Sequence, residues 1–292
     1  MHFSHSELEH EIQMFLSEYL KDKSEETCGT YQRALREFQR YYTVAHSWFR
    51  FRTQDIEQYK LYLSQYKKLS QVSVSTYLTS IRRLLDYLVA KGKLATNPAK
   101  KVKGNRRPTA HTAGTLSEAE AEKLLNVLAT EKPQDHRDLI TIRLMLECAA
   151  SEHELVKANV MDFQKSAGGY RLFVQGKGKK SKSEIVEMPA ALGQEIERYL
   201  LRRENVTQSS PLLASHSRRV SNQRMTTRAM RYRIKHWLEV AGVLRDNITA
   251  NSLRHTAAKL WLERDKLSLE EIQRKMRHGM ISTTQIYAKN QG

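Results

Sequence analysis

Asn251-Ser252-Leu253-Arg254-His255-Thr256-Ala257-Ala258 and, downstream, Arg277-His278-Gly279-Met280-Ile281-Ser282-Thr283-Thr284-Gln285-Ile286-Tyr287 are the stretches on which the reading of this chain turns. With thirteen tyrosines in the sequence, Tyr287 alone carries no information. Its place nine residues after His278, behind Thr283-Thr284 and downstream of Leu-Arg-His-Thr, does carry some. Helical patterns surround both stretches. Upstream, Tyr170-Arg171-Leu172-Phe173-Val174 and Ser183-Glu184-Ile185-Val186-Glu187-Met188 read as two strands about the turn Gly176-Lys177-Gly178-Lys179-Lys180. An apolar helix is expected from about Asp138 to Ala150, and before it Ser117 and Glu120 form a capping box for a helix through Leu124, Leu125 and Leu128.

The first hundred residues read as four helices, with Gly and Pro almost absent before Asn97-Pro98. Ile12, Phe15, Leu16 and Leu20 mark the first; Tyr31, Leu35, Phe38 and Tyr42, behind Ser24, mark the second. Ile56, Tyr59, Leu61 and Leu63 after Thr53 mark the third, and Val74, Tyr77, Leu78, Ile81, Leu84, Leu85 and Leu88 a long fourth. These apolar and aromatic residues are read as core. The cluster Lys103-Gly104-Asn105-Arg106-Arg107-Pro108-Thr109-Ala110 lacks apolar periodicity and reads as a hinge. The expected organisation is a helical domain over 1–103, a linker over 104–115 and a mixed, mainly helical domain over 116–292.

The chain of 292 residues carries a formal charge of +17, which suits a polyanionic partner, nucleic acid first. Charge is uneven. Residues 1–26 are acidic, whereas residues 27–110 hold seventeen Lys and Arg against Glu37, Asp55, Glu57 and Asp86. Arg82, Arg83, Lys91, Lys93, Lys100, Lys101, Lys103, Arg106 and Arg107 are therefore candidates for double-stranded DNA backbone contacts. Cys28 and Cys148 are the only cysteines, so neither a disulfide framework nor a thiolate metal site is expected, and no cofactor or metal is called for. The apolar run at 139–150 is broken by Arg143 and Glu147, and the start lacks a leader pattern. The expectation is a cytoplasmic protein with no membrane partner.

The two quoted stretches resemble the signature of tyrosine recombinases of the Xer and phage-integrase type. In that family an Arg in Leu-Arg-His-Thr, a His nine residues before a Tyr, and that Tyr share one active site. Asn97-Pro98 matches the end of the family's helical, SAM-like core-binding domain. Gly176-Lys177-Gly178 falls at the hairpin turn bearing a catalytic lysine, and Glu154-Leu155 with Asp162-Phe163 follows the region of the first catalytic arginine. The resemblance implies a mainly α, two-domain fold with a small antiparallel sheet in a C-terminal α+β catalytic domain. It also implies site-specific recombination, with Tyr287 forming a 3′-phosphotyrosine, Arg254 and His278 absorbing charge on the phosphoryl oxygens, and Lys177 protonating the departing 5′-oxygen.

Two positions depart from the pattern. Counting back three residues from Glu154, as Arg-x-Ser-Glu-Leu requires, reaches Ser151; counting back three from Arg254 reaches Asn251, where histidine is expected. Asparagine still offers a donor to a phosphate oxygen, but serine cannot mimic a charged planar fork. Arg143 and Lys157 are poorly placed as substitutes. The expectation is a DNA-binding recombinase relative with weak or absent strand exchange on its own, acting as a homo-oligomer or beside a complete recombinase. The alternatives are an active recombinase with a non-standard site, and a helical regulator without a recombination role. Residues 288–292 after Tyr287 are too few for a helix docking into a neighbouring subunit.

Overall fold

The structure is a computed structural model that describes residues 3–105, 113–128, 130–176, 178–179 and 181–289. The chain divides into two compact units, residues 1–108 and 109–292.

In the first unit, local capping chemistry sets the helix starts. Ser4 caps α1 (His5–Tyr19) in a reciprocal box with Glu7, Ser24 accepts from the Thr27 amide at α2 (Glu25–Ala45), and Ser70 accepts from Ser73 at α4 (Gln71–Ala90). Helix α3 (Thr53–Leu61) runs on into a π turn over Tyr62–Tyr66; Ile56, Tyr59 and Leu63, at i, i+3 and i+7, are fully buried, whereas Leu61, read as core, stands at i+5 off that face and is exposed. On α4, Val74, Leu78, Ile81, Leu84, Leu85 and Leu88 recur at helical spacing and all are buried. Each removes enough apolar surface from water to contribute roughly 1.5–3 kcal/mol, so α4 is the hydrophobic spine of this unit. After α4 the Asn97 side chain accepts from the Ala99 amide and donates to Arg82 O and Asp86, folding the basic segment that follows back onto the helix.

The second unit contains α5 (Glu118–Asn126), α6 (Pro133–Cys148), α7 (Glu152–Lys157), a three-stranded antiparallel sheet β1 (Phe163–Ser166), β2 (Gly169–Val174) and β3 (Glu184–Met188) in that order, then α8 (Ala190–Leu201), α9 (Thr227–Val240), α10 (Ala250–Glu263), α11 (Leu269–Met276) and α12 (Ile281–Lys289). The Ser117–Glu120 capping box is present at α5. Two readings of the sequence need correction. Phe163–Ser166 is a strand, paired Phe163 to Leu172; four residues with two exposed ones at the centre give too little alternation to be seen beforehand. The apolar helix starts at Pro133, not near Asp138, because Pro suits the first helical turn, and it stops at Cys148. It stops because Ala149 adopts the left-handed conformation, φ 48°, while the Ala150 amide reaches back to Leu144 O. The sheet meets α8 closely: a Cβ at Gly193 would lie 1.9 Å from the Tyr170 ring. Among the described residues no helix is long and apolar enough to cross a membrane.

Candidate active site

Helix α10 sorts the Leu-Arg-His-Thr motif by its 3.6-residue period. Leu253 and Thr256 are fully buried, and Thr256 Oγ1 accepts from the Leu116 amide, 2.9 Å. Asn251, Arg254 and His255, at i, i+3 and i+4, share another face. Tyr287 on α12 meets that face. Its hydroxyl lies 2.6 Å from His255 Nδ1, and His255 Nε2 lies 2.7 Å from the Asn251 side-chain amide. His278 stacks parallel to Tyr287, with ring centroids 6.4 Å apart and an interplanar angle of 6°, and is held by the buried Thr284 hydroxyl at 3.0 Å from Nδ1. Burial pushes the Tyr287 phenol up to about 12, against an opposing pull from the Arg254 charge. At neutral pH it is a protonated phenol.

Beside Tyr287 lies a buried charge cluster. Arg254 donates to Ala149 O and Met276 O and, at 3.3 Å, to Glu154 Oε2. Arg277 grips both oxygens of the same carboxylate, Nε to Oε1 at 2.7 Å and Nη2 to Oε2 at 3.0 Å, and also donates to Ala149 O at 2.7 Å and Lys275 O at 2.5 Å. The side chains of Arg254, Arg277 and Glu154 are 12%, 4% and 6% exposed. Burial raises the Glu154 carboxyl, but the hydrogen bond and charge of Arg277, then Arg254 and the Ser151 amide, outweigh it and hold the group below its usual range. Burial draws the Arg254 guanidinium down to about 10 against the opposing charge of Glu154, so it stays cationic at neutral pH. Arg277 sits at φ 54°, just past the end of α11, with the Arg277 and His278 amides closing back on Arg274 O and Gln273 O. A side-chain-bearing residue in this left-handed conformation costs about 1 kcal/mol or more. Ala149 and Arg277, both left-handed, thus turn the chain on the two sides of Glu154.

Ser151 is the N-cap of α7. Its hydroxyl accepts from the Glu154 amide at 3.3 Å while Glu154 accepts from the Ser151 amide at 2.6 Å. Arg143, the substitute weighed above, is paired with Glu147 at 2.6 Å on α6, and α6 ends before Ser151, so periodicity from Arg143 does not extend to it. Lys177, Arg106 and Arg107 lie outside the described residues. Arg82 is half-buried and donates to Ala99 O and Val102 O, which makes it a support of the 98–102 segment. Lys91 pairs with Glu18 at 3.0 Å and Lys100 with Asp86 at 3.0 Å, both still exposed; Arg83, Lys101 and Lys103 are exposed too. Among the described residues, no group of three or more His, Cys, Asp or Glu gathers as a metal site. Sequence reading missed His255 and Arg277 as members of the site, although each adjoins a residue it named.

Comparison with known proteins places these features in one class. Residues 114–292 match the family model described as "Phage integrase family", and residues 12–92 match "Phage integrase, N-terminal SAM-like domain". The chain belongs to the phage integrase family, the tyrosine recombinases. It is 28% identical over 236 residues to the tyrosine recombinase XerC of Caldanaerobacter subterraneus, a match covering 80% of this chain and 63% of that protein, and so just under two thirds of it. It is 29% identical over 235 residues to the tyrosine recombinase XerD of Vibrio cholerae, covering 80% of this chain and 74% of the relative. A solved structure of the XerH site-specific recombinase, bound to palindromic difH substrate in a post-cleavage complex, shares the fold with a TM-score of 0.74 at 19% identity, covering 98% of this chain and 81% of that one.

Proposed function

We propose that this chain binds double-stranded DNA and breaks and rejoins strands at specific sites through a covalent 3′-phosphotyrosine on Tyr287, using a non-standard active site. In this reading residues 1–103 form the core-binding domain, 104–115 the linker and 116–292 the catalytic domain. The Tyr287 oxygen attacks the scissile phosphorus as the phenol gives up its proton to solvent water; the bond to the 5′-oxygen breaks, and that oxygen takes up a proton, with Lys177 as the donor implied by the family resemblance. Arg254 and His278 stabilise the charge that develops on the phosphoryl oxygens. A polyanionic DNA partner and assembly with further copies are supported by structures of the same fold: the XerH structure is of a complex with its difH substrate, and a lambda integrase was solved as a tetramer on a Holliday junction. The observation that carries the proposal is the convergence on Tyr287 of His255, at 2.6 Å, the parallel ring of His278, and the Arg254 charge.

A second reading, DNA recognition with weak autonomous cleavage, is favoured by Ser151, whose hydroxyl is engaged in the α7 cap and brings no charge. Loss of one preorganised donor slows such a reaction by about 100–1,000-fold. A pool of nicked suicide duplexes of randomised sequence separates the two. A covalent adduct with the wild-type chain that disappears in Tyr287→Phe is the expected result. An adduct formed only after Ser151→Arg supports the weak-cleavage reading, and an adduct with neither overturns cleavage as the function.

A further inference from the structure

We infer that Arg277 is a positioning residue that restores, from a different part of the chain, the positive charge missing at position 151. The inference rests on the proposal that Tyr287 acts on a DNA phosphate.

Charge balance is the first argument. In the family pattern given above, an arginine three places before Glu154 and a second one at the Arg254 position leave one net positive charge beside the scissile phosphate. With Ser151 in place, Arg254 and the buried Glu154 carboxylate cancel. Arg277 returns the cluster to one net positive charge, and it does so inside a site where the three side chains are 12% exposed or less, so the charges are weakly screened.

Location is the second. The Arg277 guanidinium is bound to Ala149 O and to both oxygens of Glu154, which lie two residues before and three residues after Ser151. It is therefore anchored to the same short segment that would have carried an arginine at 151. The backbone is the third. The turn after α11 needs a left-handed residue, and glycine would supply it without strain; an arginine there must answer to what its side chain does. Four hydrogen bonds hold that guanidinium to Glu154, Ala149 and Lys275, so it acts by neutralising Glu154 and leaving the charge of Arg254 available to the phosphate.

The test uses the full chain with Arg277→Gln, Arg277→Lys and Arg277→Gly, and the double variant Ser151→Arg with Arg277→Gln. Arg277→Gly suits the turn, so it separates loss of charge from damage to the backbone. Single-turnover cleavage of the randomised nicked duplexes is expected to fall about 100-fold in the Gln and Gly variants and less than about 10-fold in Lys. Ser151→Arg is expected to recover at least about 10-fold of the Gln loss. A part confined to folding predicts instead that rate and melting temperature fall together and that an arginine at 151 rescues nothing; that outcome overturns the inference, as does a wild-type rate in Arg277→Gln. In a Tyr287→Phe background, the slope of log affinity against log salt for a short random duplex is expected to drop by about 0.9 with Arg277→Gln and to return with Ser151→Arg. If the wild-type chain forms no adduct, the cleavage proposal fails while this slope still decides the part of Arg277: an unchanged slope refutes it.

Discussion

Glu154→Gln is the perturbation that interrogates the site most directly, because one carboxylate holds two arginines, one from α10 and one from the turn just past α11. In the wild type Glu154 accepts from Arg277 at 2.7 and 3.0 Å, from Arg254 at 3.3 Å and from the Ser151 amide at 2.6 Å. A glutamine keeps one acceptor oxygen and turns a donor nitrogen towards a guanidinium, leaving two buried cations against a neutral group. Removing one partner of a buried ion pair costs about 3–5 kcal/mol; with part of the hydrogen bonding kept, about 3 kcal/mol is expected, or a melting point lower by about 6–12 °C for a unit of this size. Urea denaturation followed by tryptophan fluorescence in a Trp48→Phe background reports on this unit, since Trp237 and Trp261 belong to it and Trp48 to the first unit. The carboxyl is raised by burial but lowered overall by Arg277 and Arg254, so its stabilisation is full above the unfolded value near 4.5 and lost as pH falls through the lower folded value. The gap between wild type and variant should be widest at neutral pH and should close in acid. A difference below about 1 kcal/mol, or one that stays constant down to about pH 3, refutes the cluster as a stabilising and pH-sensitive element.

Two further expectations follow from groups outside the site. His216, 2.9 Å from the Tyr199 hydroxyl, is drawn down from 6.5 to about 4 by burial, then by Arg137 and Arg203. The unfolded chain therefore takes up its proton first, and stability should be full above pH 6.5 and decline towards pH 4 by about 2 kcal/mol after allowance for the partly exposed ring; His216→Gln should flatten that slope in acid-denaturation curves. Arg82 and Arg83 are neighbours with opposite duties. Arg82→Gln, losing its bonds to Ala99 O and Val102 O, should destabilise the first unit by roughly 1.5–3 kcal/mol. Exposed Arg83→Gln should leave melting unchanged and lower the salt slope of duplex binding by about 0.9; equal effects on both measurements for the two variants would reject this division.

Much of this protein is determined by local order in the chain. Helical periodicity and capping residues give the four N-terminal helices, the Ser117–Glu120 start of α5 and two of the three strands, because these depend on neighbours within a few residues. The motif residues Arg254, His278 and Tyr287 are legible for the same reason: their spacing is written along the sequence. The structure alone decides that His255 bonds the Tyr287 hydroxyl, that Ser151 is an N-cap, and that Arg82 supports backbone carbonyls. It also decides that Arg277 stands over Glu154, 123 positions away in sequence. A left-handed turn at Ala149 and another at Arg277 aim those groups at one another, and neither residue advertises that backbone conformation by its type. Contacts of such separation arise only when packed helices bring distant segments together, and no pattern of period two or 3.6 records them.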